Sequence, residues 1–207
     1  MSEARIGRVV AAALHEALAS QLPMRLEFYE HWLKPAGLRE GRVGVASFQA
    51  VLSFLRREDG VWSAIMTGAG EHAADWTFAT LSPAWRALVR RLPQRVRLRV
   101  ALRLVSRLVD ETQPSSGARV AVARDGGRLE IGRSAFCDVR DSADSPQCAF
   151  YAAALGRFCR LVALDAEIAT AECRGMGQPH CVIVAGGVRA AAEPAEPPSL
   201  MGSRWVG

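Results

Sequence analysis

Glu172-Cys173-Arg174-Gly175-Met176-Gly177-Gln178-Pro179-His180-Cys181 is the stretch from which the fold can be read. Two cysteines bracket a glycine-rich turn, with apolar residues 168–171 before it and 182–185 after it, so the pattern is that of two strands joined by a tight loop. Gly175 and Gly177 permit positive φ, and Pro179 keeps the first strand from running on. Cys173 and Cys181 then sit near the two roots of the loop, where their side chains can face each other. Seven intervening residues is wider than the usual zinc-knuckle spacing, so the hairpin by itself is a weak metal signal. Cys148, at the start of a helix just upstream, strengthens it by offering a third thiol.

Working outward, helical periodicity dominates the first half. Helices are expected over residues 3–20, 23–34 and 45–57, with a break at Pro35 and Gly37. A further helix runs from Trp62 through Trp76, and Ser82-Pro83 starts another, since proline suits a first turn. Pro93 closes that one, and residues 95–109 form the next. Strands at 118–124 and 128–131 pair across Asp125-Gly126-Gly127, a good hairpin turn. A third strand is expected over 134–139, then a polar loop over 140–146, the helix from Cys148 and the final hairpin. Helices, hairpin, helix, hairpin gives an α+β fold with helices packed on an antiparallel sheet. The expected organisation is an N-terminal helical extension over 1–60, an α+β domain over 61–186 and a disordered tail over 187–207, where Ala-Glu-Pro-Ala-Glu-Pro-Pro occurs.

Composition bounds the class. With 207 residues, half of them hydrophobic, the chain can bury one sizeable core. The net charge of +5 comes almost entirely from arginine, Lys34 being the single lysine. Together with the abundance of alanine and glycine, that bias gives only a weak argument for nucleic acid. The short apolar run 9–14 is followed by His15 and Glu16 and reads as one helix face rather than a signal peptide. No window is long enough to span a membrane. Five cysteines, an odd number, without an export signal point to reduced thiols in a cytoplasm.

The segment 147–184, with Cys148-Ala-Phe-Tyr-Ala-Ala-Ala-Leu-Gly at the helix start and the Cys173 to Cys181 hairpin at its end, resembles the 4-vinyl reductase domain family. The resemblance covers roughly residues 69–185. It implies an α/β fold shared with the Bet3-like TRAPP subunits of vesicle tethering. It also implies kinship with the phenol-sensing domains of bacterial transcription activators, which hold zinc with a helix-start cysteine, an acidic residue and two hairpin cysteines. The matching cysteines here are Cys148, Cys173 and Cys181. The family's acid stands three residues before the first hairpin cysteine, where this chain has Thr170. Glu172 is the acid at hand, and a bulge would be needed to turn it to the cysteine face. The resemblance thus implies zinc as a cofactor, on Cys148, Cys173, Cys181 and Glu172. Three thiolates and one further donor close a tetrahedral site of the structural kind, and His180 is a reserve ligand. Against this stands the plainer reading that small cysteines fill a core, which is how Cys137 and Cys159 are read.

Two further groups invite a ligand. His72 and Trp76, four apart on one helix, share a face and offer an imidazole beside an aromatic wall; the alternative is a core Trp76 and a satisfied or exposed His72. Gly68, Gly70, Ala73 and Ala74 on that helix allow either close helix packing or room for a ligand. Arg95, Arg99 and Arg103 form a stripe able to receive carboxylates, such as tetrapyrrole propionates, or phosphates, the alternative being a solvated face. Arg99 and Arg103 are the ligand-binding candidates of this stripe. The chain has no Walker A pattern, dinucleotide fingerprint, nucleophile elbow or His-Glu-x-x-His helix, and no catalytic residue is assigned.

The resemblance thus implies a sensor or carrier that binds an apolar, aromatic or tetrapyrrole small molecule in a pocket between helices and sheet, braced by zinc. A homodimer is expected, without nucleic acid or membrane span. An accessory protein of bacteriochlorophyll synthesis and a TRAPP-like interaction module are the alternatives. Catalysis is not implied, because nothing in the chain holds a nicotinamide or flavin.

Overall fold

The computed structural model describes residues 6–33, 43–58, 60–112, 116–138 and 143–191. Its helices are α1 (Arg8–Gln21), α2 (Leu26–Leu33), α3 (Val45–Leu55), α4 (Trp62–Ala79), α5 (Pro83–Arg90), α6 (Gln94–Thr112) and α7 (Ala149–Leu161). Its strands are β1 (Arg119–Val122), β2 (Gly127–Ile131), β3 (Leu164–Glu172) and β4 (Cys181–Ala190), paired antiparallel in the order β1-β2-β4-β3. This is the expected α+β fold of helices packed on an antiparallel sheet, with an N-terminal helical part.

The layers follow from which faces are apolar. Leu129 and Ile131 of β2 and Ile183 and Ala185 of β4 point inward and are buried, whereas Arg128 and Glu130 alternate outward. Helices α6 and α7 cover the inner face, α4 packs on α7, and α1 packs on α4. Gly70 makes the α4 and α7 approach possible, since any side chain there would collide with the Phe150 carbonyl oxygen and the Ala153 methyl. The small residues of α4 therefore serve close helix packing at this position. Val10, Leu14 and Leu18 of α1, together with Phe48 and Leu52 of α3, belong to the same continuous core as the sheet residues. The N-terminal helices are thus part of one hydrophobic body with the rest.

Local signals act as their chemistry dictates. Ser82 caps α5 by accepting the Trp85 N–H at 3.3 Å, with Pro83 in the first turn. Two expectations change. Residues 135–137 form a 3-10 turn rather than a strand, because the Ser134 hydroxyl accepts the Phe136 N–H at 3.1 Å and turns the chain as β2 ends. Strand β4 runs on to Ala190, beyond the boundary expected at 186, since Leu164 and Asp165 continue its ladder. Residues 192–207, on which the tail reading rests, lie outside the described residues.

Gly70→Val should destabilise the fold by roughly 1–3 kcal/mol, the usual cost of forcing atoms into a packed interface. Urea unfolding followed by far-UV circular dichroism measures it, and an unchanged midpoint would mean that α4 and α7 are less closely packed than described.

Candidate metal centre

Three turns converge at one end of the sheet. Cys137 ends the 3-10 turn after β2, Cys148 caps α7, Cys173 follows the last residue of β3, and Cys181 opens β4. Their four sulfurs all lie within 4.8 Å of one another. Cys181 Sγ stands 3.4 Å from Cys137 Sγ, and Cys137 Sγ stands 3.8 Å from Cys173 Sγ. All five cysteines of the chain are free thiols. The edge of a sulfur tetrahedron around zinc, with Zn–S bonds of about 2.3 Å, is about 3.8 Å, so the observed separations fit a cation of that size. The cluster is sealed: its cysteines are between 0 and 3% exposed.

The electrostatics suit such a cation. Cys173 is held well below an ordinary thiol by hydrogen bonds from its cluster neighbours, Cys137 foremost, and by the Gln147 N–H at 3.2 Å. Cys181 is lowered likewise, by Cys137 and Cys148 and by the Arg174 N–H at 3.3 Å. Cys137 is held above the ordinary value by its bonds to the other three thiols, then by burial. The thiols already hydrogen-bond to one another across the cluster. A divalent ion would let all four ionise, and four protein ligands leave no open position for catalysis.

Arg56, just beyond α3, braces the loops that carry two of the thiols. Its Nη2 donates to the Phe136 carbonyl at 2.7 Å and its Nε to Gln147 Oε1 at 3.2 Å, while the guanidinium lies 4.9 Å from the centre of the Trp62 ring. Gln147 also packs under Gly175, where a Cβ would meet its Cγ at 2.7 Å. Arg56 thus brings a fixed positive charge near a site that becomes anionic once it holds a dication. Sequence reading passed over Cys137 and Arg56. The count of soft ligands was the signal available for Cys137, since a closed site needs four donors and Cys159 sits deep in α7, away from the turns. Burial pushes the Cys159 thiol up to about 12, as befits a core residue.

The other site residues named from sequence lie as follows. Glu172 does follow a bulge in β3, but its carboxylate pairs with His180 Nε2 at 3.0 Å on the outside of the hairpin root, so neither belongs to the tetrad. His72 and Trp76 stack with ring centres 5.8 Å apart, half-buried on α4. Arg95, Arg99 and Arg103 are exposed along α6. Arg97, on the same helix, is buried instead: its Nη1 donates to the carbonyls of Val162 at 3.3 Å and Ala163 at 2.9 Å, closing the end of α7 where Ala163 takes φ 59°. Between α7 and the turn of residues 135–137, Phe136, Phe150 and Tyr151 interlock, Phe136 and Phe150 stacking at 4.6 Å. The Tyr151 hydroxyl is fully buried against Thr112, and burial holds it protonated.

No protein-family model matches the chain, and no curated protein matches it. Among solved structures, the phenol-responsive sensory domain of the transcription activator PoxR, crystallised with phenol, aligns at TM-score 0.52 and 19% identity. That alignment covers 69% of this chain and 74% of that one, and it shows a shared fold. A Tt H-NOX variant aligns at TM-score 0.46 and 10% identity over 93% of this chain and 100% of that one, too loosely to carry an argument. Among the described residues, no helix is long and apolar enough to cross a membrane.

Two substitutions separate the tetrad from its neighbour. Cys137→Ala should abolish stoichiometric metal measured by elemental analysis, whereas Glu172→Gln should leave it unchanged. The reverse result would return the fourth position to the carboxylate.

Proposed function

We propose that this chain is a small-molecule-binding domain of the 4-vinyl reductase type, acting as sensor or carrier, in which Cys137, Cys148, Cys173 and Cys181 hold a structural zinc ion. The observation that carries this reading is the buried four-thiol cluster at the point where the helix start and the hairpin meet. Likeness in fold to a phenol-responsive sensory domain supports the choice of a small apolar or aromatic ligand. Zinc in a site of four thiolates contributes folding energy when bound, and the protein's own part is to gather the sulfurs and exclude water. Reduced thiols suit a reducing compartment such as the cytoplasm.

A second reading is an interaction module of the TRAPP kind, working as a homodimer without a ligand. The interlocked rings of Phe136, Phe150 and Tyr151 favour it, because they pack the space between α7 and the turn of residues 135–137 with side chains. A tetrapyrrole carrier draws less support, since Arg99 and Arg103 lie exposed on α6.

Elemental analysis with native mass spectrometry, on protein purified without chelator or added metal, tests both. One zinc per chain and a retained organic mass are expected, and chelation should lower Tm by several degrees, as roughly 2 kcal/mol or more implies for a domain of this size. A metal-free, ligand-free dimer whose Tm ignores chelator would replace this reading with the interaction module.

A further inference from the structure

A cleft of about 770 Å³ opens where α2 and the end of α3 meet, lined by Arg25, Phe28, Phe54, Arg57 and Glu58. That volume is in the range of small-molecule sites, roughly 300–1,000 Å³. Its apolar wall is built. Phe28 and Phe54 meet edge to face with centres 5.2 Å apart, and Trp32 supports Phe54 from 5.8 Å. Phe28 nevertheless remains 49% exposed, a large aromatic surface left facing solvent.

The charges are unequal. Glu58 accepts the Tyr29 hydroxyl at 3.2 Å and pairs with Arg25, so its carboxylate is committed. Burial, then the Glu58 charge, pushes Tyr29 up to about 12. Two guanidiniums therefore face one carboxylate, and Arg57 has no ion pair among the described residues. An aromatic wall beside a guanidinium with no ion pair among the described residues selects a planar apolar body carrying an anionic group.

We propose that this cleft binds an aromatic carboxylate, its ring against Phe28 and Phe54 and its carboxylate on Arg57. The inference rests on the small-molecule-binding reading and assigns it a location none of the sequence candidates reach. A phosphate or other small inorganic anion leaves the aromatic wall unused, and a neutral phenol leaves Arg57 unanswered. The end of α3 and the turn after it, which present Phe54, Arg57 and Glu58 to the cleft, also send Arg56 to the Phe136 carbonyl and to Gln147, beside the thiols. Occupancy of the cleft thus bears on a segment that also braces the metal centre.

Calorimetric titration of the zinc-loaded full chain with 1-naphthoate, and separately with neutral 1-naphthol, tests the proposal. One saturable naphthoate site is expected, with 1-naphthol about tenfold weaker or worse, reflecting loss of the charge-assisted contact. Arg57→Gln, a change at an exposed side chain, should weaken naphthoate about tenfold without changing Tm. Phe54→Ala should weaken both compounds, and His72→Ala neither. Naphthoate binding indifferent to Arg57→Gln, or equal affinity for 1-naphthol, would remove this site while leaving the small-molecule reading intact. Failure of both compounds, with Phe28→Ser converting a dimer to a monomer, would make the cleft a contact between copies and overturn both.

Discussion

Four sulfurs drawn to one buried point set the terms for the rest of the structure. Sulfur atoms within 4.8 Å of one another cannot all ionise without a compensating charge, yet three separate turns are shaped to bring them there. The turn after β2 brings Cys137, the start of α7 brings Cys148, and the hairpin brings Cys173 and Cys181. Each of these segments has its own backbone device: the Ser134 hydroxyl on the Phe136 N–H, the N–H donors of Gln147 and Arg174 on sulfur, and the left-handed Gly177. Helix α7 and strand β3 run back along each other, so the beginning of one and the end of the other meet.

Arg56 ties this end of the sheet to the N-terminal helices. A guanidinium with both of its described hydrogen bonds on the loops of Cys137 and Cys148 makes α3 part of the centre's surroundings. The Phe48 and Phe136 rings, 5.7 Å apart, support the same junction. This explains why the helices of the first 60 residues share one core with the sheet. Their apolar faces are matched to α4 and to the turn of residues 135–137, and separating them would expose large aromatic surface as well as an unpartnered charge.

The legible parts were those governed by local chemistry. The alternation of the hairpin, the proline of α5 and the Asp-Gly turn each announce an element through a single backbone preference. Three of the four tetrad cysteines could be placed because they flank recognisable element ends. Cys137 could not, because reading 134–139 as a strand hides a turn that only the Ser134 hydroxyl creates. Glu172 shows the same limit in reverse: its position beside Cys173 says nothing of His180 across the hairpin, which takes its carboxylate. Periodicity also gave α6 an arginine stripe, but it could not tell Arg97 from Arg95 and Arg99, since the difference lies in the carbonyls of a helix far along the chain.

That buried arginine has a consequence for assembly. Arg97 places a guanidinium in the interior, with Nη1 bound to the Val162 and Ala163 carbonyls just beyond α7 and Nε without a partner among the described residues. Helix C-termini attract positive charge, so the arrangement is favourable only when α7 is fully seated. A half-docked α7 strands the guanidinium among apolar side chains. Helices α6 and α7 therefore lock in a single register, as a key that turns only when pushed home.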